Sequence, residues 1–248
     1  MLKSLKLGLF RILFPARCPG CRKYLGGDLC YFCVDCAPKL PLTADRGDEL
    51  TFSGSAGRYV HCYAAPFYYD GIFKKAFINF KFFNRRYYSS AIAVYMAEAW
   101  RRAMNCRDDG EGLRPDIITW VPVSAKRRKE RGYDQSELLA KAVGDYLGIP
   151  VAPVLCKVGD NKPQSTLDAS ARAANVIGMY DILPDAPEIT GKNLLLIDDI
   201  FTTGATVREA SFVLDSVRPK RICCLFAAKS AKSSGTKGEN FHSSTQNG

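Results

Sequence analysis

The segment from Leu194 to Val217 limits the possible folds more than any other part of this sequence. Residues 194–197, Leu-Leu-Leu-Ile, have the length and unbroken apolar character of a strand covered on both faces. Residues 198–204 follow as a polar, hydroxyl-rich loop. From Ala205 onward, Val207, Ala210, Leu214 and Val217 recur at helical spacing until Pro219 stops the helix. A buried strand feeding directly into a helix is half of a βαβ unit and needs a parallel neighbour. Residues 117–123, 151–155 and 222–228 read as further short strands, β-branched or apolar. Residues 136–147 read as a helix with Leu138, Leu139, Ala142, Val143, Tyr146 and Leu147 on one face. Asp134 and Glu137 are spaced as its capping box, and Gly148 is its stop. The expectation is an α/β fold, a mainly parallel sheet flanked by helices, with any ligand beyond the carboxyl ends of the strands.

The loop after the buried strand carries the chemistry. Thr202, Thr203, Gly204, Ala205 and Thr206 bring hydroxyls, backbone N–H groups and the positive end of a helix dipole together, a combination that binds phosphate. Gly204 lets the backbone approach closely and take a conformation other residues resist. Asp198 and Asp199 stand directly before the loop, one sugar length from that phosphate. Their carboxylates suit the hydrogen bonds of a ribose 2′,3′-diol, and they could help hold Mg²⁺ through water. Singly, "DD" or "TTG" is an ordinary acidic turn before a capped helix. The whole string in strand–loop–helix context points to a sugar phosphate.

The chain has 248 residues, 47% hydrophobic and 24% charged, ordinary values for a globular protein, but its net charge is +10. Polyanions such as nucleic acid, nucleotides and diphosphates are the partners such a charge favours. The opening MLKSLKLGLFRILFPAR resembles a signal peptide only superficially. Arg11 interrupts its apolar run and no small-residue cleavage site follows, so it reads as an amphipathic helix with Leu2, Leu5, Leu9 and Leu13 on one stripe. No stretch is long and apolar enough to span a bilayer. These features predict a cytoplasmic chain without membrane contact. Composition divides it into a cysteine-rich module at 1–42, a polar linker at 43–58, the α/β domain at 59–229, and a Ser/Gly/Lys/Asn-rich tail at 230–248 that reads as disordered.

Five of the ten cysteines fall between Cys18 and Cys36. In a reducing compartment such crowding means metal rather than disulfides. Cys18-x₂-Cys21 and Cys33-x₂-Cys36 have the spacing of a four-cysteine structural zinc site, although Cys30-x₂-Cys33 is also a knuckle. A module this small lacks a core of its own, and zinc would supply its stability. Cys106, Cys156, Cys223 and Cys224 read as small apolar residues within or near elements.

Two basic segments stand out. Residues 126–131 hold five cations in six positions, Lys126, Arg127, Arg128, Lys129 and Arg131. Residues 73–88 interleave cations with rings, a pattern that suits single-stranded nucleic acid. The plainer account of the second segment is a helix burying Ile72, Phe73, Ala76, Phe77 and Phe80 with its lysines in water. Periodicity favours that account for the aromatics, while for residues 126–131 anion binding is favoured over a solvated loop.

The string LLLIDDIFTTGAT resembles the phosphoribosyl-binding motif of the type I phosphoribosyltransferases. Val121-Pro122-Val123 with Arg127, then Arg131-Gly132-Tyr133-Asp134-Gln135 and Leu138-Leu139-Ala140, resembles a segment of the ComF-like proteins within that group. So do Lys162-Pro163-Gln164, Leu167, Arg172, Asn175-Val176 and Gly178, as do the N-terminal FPARCPGC and CVDCAPKLP. The resemblance implies a type I phosphoribosyltransferase-like domain behind a zinc-ribbon module, with Cys18, Cys21, Cys33 and Cys36 as ligands of a structural Zn²⁺. It implies phosphoribosyl diphosphate or a nucleotide-like ligand, accompanied by Mg²⁺. Asp198 and Asp199 would take the ribose hydroxyls and Thr202, Thr203, Gly204, Ala205 and Thr206 the 5′-phosphate. Ser124, Ala125, Lys126 and Arg127 would lie by the diphosphate, and Gln164, Arg172 and Asn175 would belong to a mobile lid. Two functions follow as expectations. One is an accessory protein of DNA uptake or processing, meeting single-stranded DNA or a helicase partner, with Arg128, Lys129 and Arg131 as nucleic-acid contacts. The other is an enzyme transferring phosphoribose to a base or amine.

Overall fold

The structure, a computed structural model, describes residues 16–27, 30–43, 58–105, 114–158 and 178–230. The expected N-terminal helix, Cys106, the lid residues Gln164, Arg172 and Asn175, and all of the tail after Ser230 lie outside the described residues.

The chain first forms a one-turn 3₁₀ helix at Ala37–Lys39, then β1 (Cys62–Ala64), β2 (Phe67–Tyr68), α1 (Gly71–Phe82) and α2 (Tyr88–Asn105). There follow β3 (Ile117–Trp120), α3 (Ala125–Arg131), α4 (Gln135–Leu147), β4 (Leu155–Lys157), β5 (Tyr180–Ile182), β6 (Asn193–Phe201), α5 (Ala205–Asp215) and β7 (Arg221–Lys229). The main sheet runs β1-β7-β6-β3, with β2 continuing along β7 beyond β1, and every pairing in it is parallel. Strands β4 and β5 form a separate antiparallel pair.

Strict alternation explains why β6 and β7 are apolar without a break. Leu195, Ile197, Cys223, Leu225 and Ala227 face the layer formed by α1, α2, α4 and the cysteine-rich segment. Leu194, Leu196, Ile222, Cys224 and Phe226 face α5 and the β4–β5 pair. A strand buried on both faces has no polar side to present. As expected, Cys223 and Cys224 serve here as small buried residues.

Several boundaries differ from those read in the sequence, each for a local reason. Strand β3 ends at Trp120, because Pro122 has no N–H for the ladder. The strand expected at 151–155 is split: Val151 makes a single bridge to Ile118, Pro153 interrupts, and pairing resumes at Leu155 with β5. Strand β6 does not end at Ile197. Strand β7 keeps offering partners, so β6 runs on through Phe201, and the two aspartates lie inside it.

The cysteine-rich segment packs into the core of the sheet domain. Phe32 packs against Phe67 and Tyr95, with ring centroids 6.4 and 6.0 Å apart, and Leu40 joins the same cluster. A Cβ on Gly20 would come within 2.7 Å of Ile72 Cδ1, so α1 lies directly against the first knuckle. The segment uses the sheet domain's core.

Helix α4 positions the site loop and is seated on the edge of β3. A Cβ on Gly144 would lie 2.2 Å from Val151 Cγ2 and 2.9 Å from the Ile149 carbonyl oxygen. The stiff β-branched Val151 and the backbone leave it no room. Overpacking costs about 1–3 kcal/mol against the roughly 1 kcal/mol that alanine gains in a free helix, so Gly144→Ala should lower unfolding free energy by up to about 2 kcal/mol. Urea melts check the sign; a stabilised variant would mean the edge is looser than this packing.

Candidate functional site

Asp198 and Asp199 lie near the carboxyl end of β6. The main chain shapes them first. Asp198 Oδ1 accepts from the Asp199 N–H (2.7 Å) and from Ser136 Oγ (3.3 Å), and Asp199 Oδ1 accepts from the Ile200 N–H (2.5 Å). Lys81, in the last turn of α1, places its ammonium 2.5 Å from Asp199 Oδ2, with both side chains largely buried. The buried helix account of residues 73–80 is thus what the structure contains, with Phe73, Ala76, Phe77 and Phe80 wholly buried and Ile72 partly so. Its last lysine is not in water but in the site. Nothing local marks Lys81 in the sequence, since its partner arrives only when the sheet forms.

The loop after β3 is fixed by Asp134. This buried residue caps α4 by accepting from the Ser136 and Glu137 N–H groups (2.9 and 3.2 Å), and its other oxygen accepts from the Val123 N–H (2.9 Å). The expected capping box is half made. Glu137 turns outward to Arg128 (2.9 Å) and Lys141 (2.7 Å) instead of reaching back to the cap. Ser124 caps α3 by accepting from the Arg127 N–H at 3.3 Å, so residues 126–131 form a helix rather than a loop.

Helical geometry then sorts the basic cluster. Arg127 and Arg131, four residues apart, line the cavity beside the aspartates. Arg128 is held by Glu137, while Lys126 and Lys129 face solvent, as does Ala125. Of the residues expected at a diphosphate, only Arg127 reaches the cavity. Arg131, expected to meet nucleic acid, is half-buried there, donating to Gln135 Oε1 at 2.6 Å.

The cavity holds about 230 Å³ and is closed on its far side by Lys157 and Tyr180 from the β4–β5 pair. Thr202 and Thr206 line it, and Thr203 is exposed with its hydroxyl accepting from the Ala205 N–H at 3.4 Å. Gly204 takes φ 75° and has no side chain with which to cap α5, and the Thr203 hydroxyl takes the Ala205 N–H in its place. Lys81, Arg127, Arg131 and Lys157 bring four cations around two carboxylates. The arrangement can accept a diol at the aspartates and a phosphate at the helix end.

Charge in the site is uneven. Burial, and then the adjacent charge of Asp199, pushes the Asp198 carboxyl up to about 8. Burial raises the Tyr180 phenol, reinforced by the charges of Asp198 and Asp199. Burial lowers the Arg131 guanidinium, with Arg127 adding to the effect.

In the cysteine-rich segment, the Sγ atoms of Cys18, Cys21, Cys33 and Cys36 all lie within 4.8 Å of one another, a cluster able to hold a metal ion. Cys21 and Cys33 are 3.6 Å apart, close to the roughly 3.8 Å between sulfurs bound tetrahedrally at 2.3 Å to one zinc. The Cys33 N–H points at Cys18 Sγ (3.3 Å). Cys30 stands outside the cluster with its sulfur toward the Arg17 carbonyl (3.5 Å), and burial pushes its thiol up to about 12. The alternative knuckle is therefore not part of the cluster.

These features define a domain of the type I phosphoribosyltransferase fold, and the family model for the phosphoribosyl transferase domain matches residues 134–244. The chain is 29% identical over 137 residues to Competence protein F of Haemophilus influenzae, covering 55% of this chain and 58% of that protein. It is 30% identical over 135 residues to the DNA utilization protein YhgH of Salmonella typhimurium, covering 53% and 56%. With Competence protein ComFC of Bacillus subtilis it shares 33% identity over 95 residues, covering 38% and 36%. The chain thus spans little more than half the length of the first two relatives. Among solved structures, a glutamine phosphoribosylpyrophosphate amidotransferase from B. subtilis overlaps 60% of this chain and 30% of its own, at 16% identity and a TM-score of 0.39. In sequence the chain is similar to these competence and DNA utilization proteins over about half of its length.

Asp198 gives a pH signature. Its folded-state proton is held up to about pH 8, whereas an unfolded carboxyl releases it near 4. Between those values the folded state binds more protons, so the ligand-free protein should lose stability as pH rises from 5 to 8. Asp198→Asn removes the titration, and the Tm gap between variant and wild type should change in the variant's favour with rising pH. A pH-independent gap would show that Asp198 is already ionised.

Proposed function

We propose that this ComF-like chain binds phosphoribosyl diphosphate, or a closely related sugar phosphate, in the cavity at the end of β6, and that it serves DNA uptake or processing. One observation carries the ligand reading. Two carboxylates suited to a ribose diol line a single cavity with Thr202 and Thr206 at the N-terminus of α5, which suit its phosphate, and four cations rim it. The role in DNA handling draws on the names of the relatives, competence and DNA utilization proteins. Single-stranded nucleic acid is the partner that the net charge and those names favour together.

Each residue has a task in this reading. Asp198 and Asp199 accept from the ribose hydroxyls, and Lys81 holds Asp199 in place while offsetting its charge. Thr202, Thr203, Gly204, Ala205 and Thr206 cradle the 5′-phosphate. Arg127 and Arg131, on the cavity side of α3, meet the oxygens of the diphosphate. Mg²⁺ fits as the companion of the ligand: carboxylate and phosphate oxygens are its preferred donors, and it would neutralise charge on the diphosphate. Gln164, Arg172 and Asn175 retain the lid role that the resemblance implies.

Asp199→Asn should reduce phosphoribosyl diphosphate affinity about ten-fold or more, since charge-assisted hydrogen bonds contribute roughly 1.5–3 kcal/mol each. The same change leaves Lys81 without its counter-ion, so stability should fall too, by about 1–2 kcal/mol, between the values for exposed and buried pairs. Calorimetric titration with and without Mg²⁺ checks the first effect and thermal melting the second. Absence of binding by the wild type would end the ligand reading. Turnover against a panel of bases and amines separates the binding role from active phosphoribosyl transfer.

The cysteine cluster is assigned a structural zinc in the same reading, because four thiolates with tetrahedral spacing are what zinc selects. Purified protein should contain about one zinc per chain. Because Phe32 and Leu40 share the sheet's core, Cys18→Ser or chelation should lower the melting temperature of the whole protein, not only of its N-terminal part. Metal-free protein with an unchanged melting curve would refute the assignment.

A further inference from the structure

Helix α1 ends by presenting two large rings to water. Phe82 and Phe83 are 60% and 62% exposed, although Phe73, Phe77 and Phe80 on the same helix are wholly buried. The positive φ of Asn84 (52°) turns the chain immediately afterward. Adjacent rings left in solvent form an apolar patch of the kind found at interaction sites. What surrounds them is basic. Phe82, Phe83, Asn84 and Arg86 form one wall of a groove of about 450 Å³, and Arg127, Lys129, Arg131 and Gly132 form the other.

The groove is held in shape rather than left loose. The Arg131 guanidinium lies 4.8 Å from the centroid of the Phe82 ring. Arg86 donates to Asn84 Oδ1 (3.0 Å) and to the Gly132 carbonyl (2.8 Å), and stacks 5.0 Å from the Tyr133 ring. Tyr133 in turn donates its hydroxyl to the Phe80 carbonyl, tying the turn after α3 to α1. Among the described residues, no salt bridge joins any of the four cations to a carboxylate, and Glu130 is the one acid in the lining. Arg127 and Arg131 line both this groove and the aspartate cavity, so the two are contiguous.

We propose that this groove binds a short stretch of single-stranded nucleic acid, with bases stacking on Phe82 and Phe83 and phosphates meeting Arg86, Lys129 and the outer faces of Arg127 and Arg131. The ligand must alternate flat apolar faces with negative charge, because the groove alternates rings with cations. A duplex hides its base faces, and an acidic peptide has no use for two bare rings. The proposal rests on the nucleic-acid half of the function above and is independent of phosphoribosyl diphosphate binding.

Fluorescence anisotropy with labelled oligothymidylate and oligoadenylate, and a duplex of the same length, tests it on the full chain. The wild type should prefer the single strands. Phe82→Ala/Phe83→Ala should weaken single-strand binding about ten-fold or more for both sequences, with melting temperature unchanged, while Phe82→Tyr/Phe83→Tyr retains binding. Lys129→Ala should lower the slope of log affinity against log salt by about one. Equal binding by the alanine variant overturns the groove and leaves the nucleic-acid reading standing. No single-strand binding by the wild type overturns both. Competition by polyglutamate as effective as that of the oligonucleotides, and lost with the rings, would make the partner an acidic protein and overturn the proposal.

Discussion

Strand β6 is hydrogen-bonded along both edges, to β3 and β7, and covered on both faces, and the site is positioned relative to it. Burial on two faces leaves no place for a polar side chain until the strand nears its end. There the chain carries two aspartates while still paired to β7, so they are held by a ladder rather than by a loop. Carboxylates in that position are costly unless bonded. The main-chain N–H groups of Asp199 and Ile200, the Ser136 hydroxyl and the Lys81 ammonium answer that demand.

The answer couples distant parts of the chain. Lys81 comes from α1, Ser136 and Asp134 from the start of α4, and Arg127 and Arg131 from α3. Asp134 is the joint among them, because one carboxylate caps α4 and fixes the loop after β3. Four cations around two acids leave the cavity with excess positive charge, which favours anions. The outward faces of the same guanidiniums continue into the ring-bearing groove.

The cysteine cluster is connected to this arrangement by packing. Phe32 and Leu40 sit in the core that α1 and α2 build over the sheet, and Gly20 allows Ile72 to approach the first knuckle. A metal in that cluster would therefore order the segment against which α1 rests. Since α1 supplies both Lys81 and the exposed ring pair, the integrity of the cluster bears on the geometry of the site.

Much of this was legible in the sequence because it is local. Unbroken apolar residues at 194–197 announced a doubly buried strand, the acid pair and hydroxyl-rich turn announced a polar loop leading into a helix N-terminus, and paired knuckles announced the four-cysteine cluster. These are properties of adjacent residues, where period, spacing and turn chemistry decide. Tertiary structure alone decided the rest. Which cysteine stands outside the cluster, which cations of residues 126–131 turn inward, and where Lys81 finds its partner depend on contacts between segments far apart in the chain. The helix ending at Phe82 shows the division plainly: periodicity identified its buried face, but only the placement of α3 beside it turned its last residues into one side of a cavity and one wall of a groove.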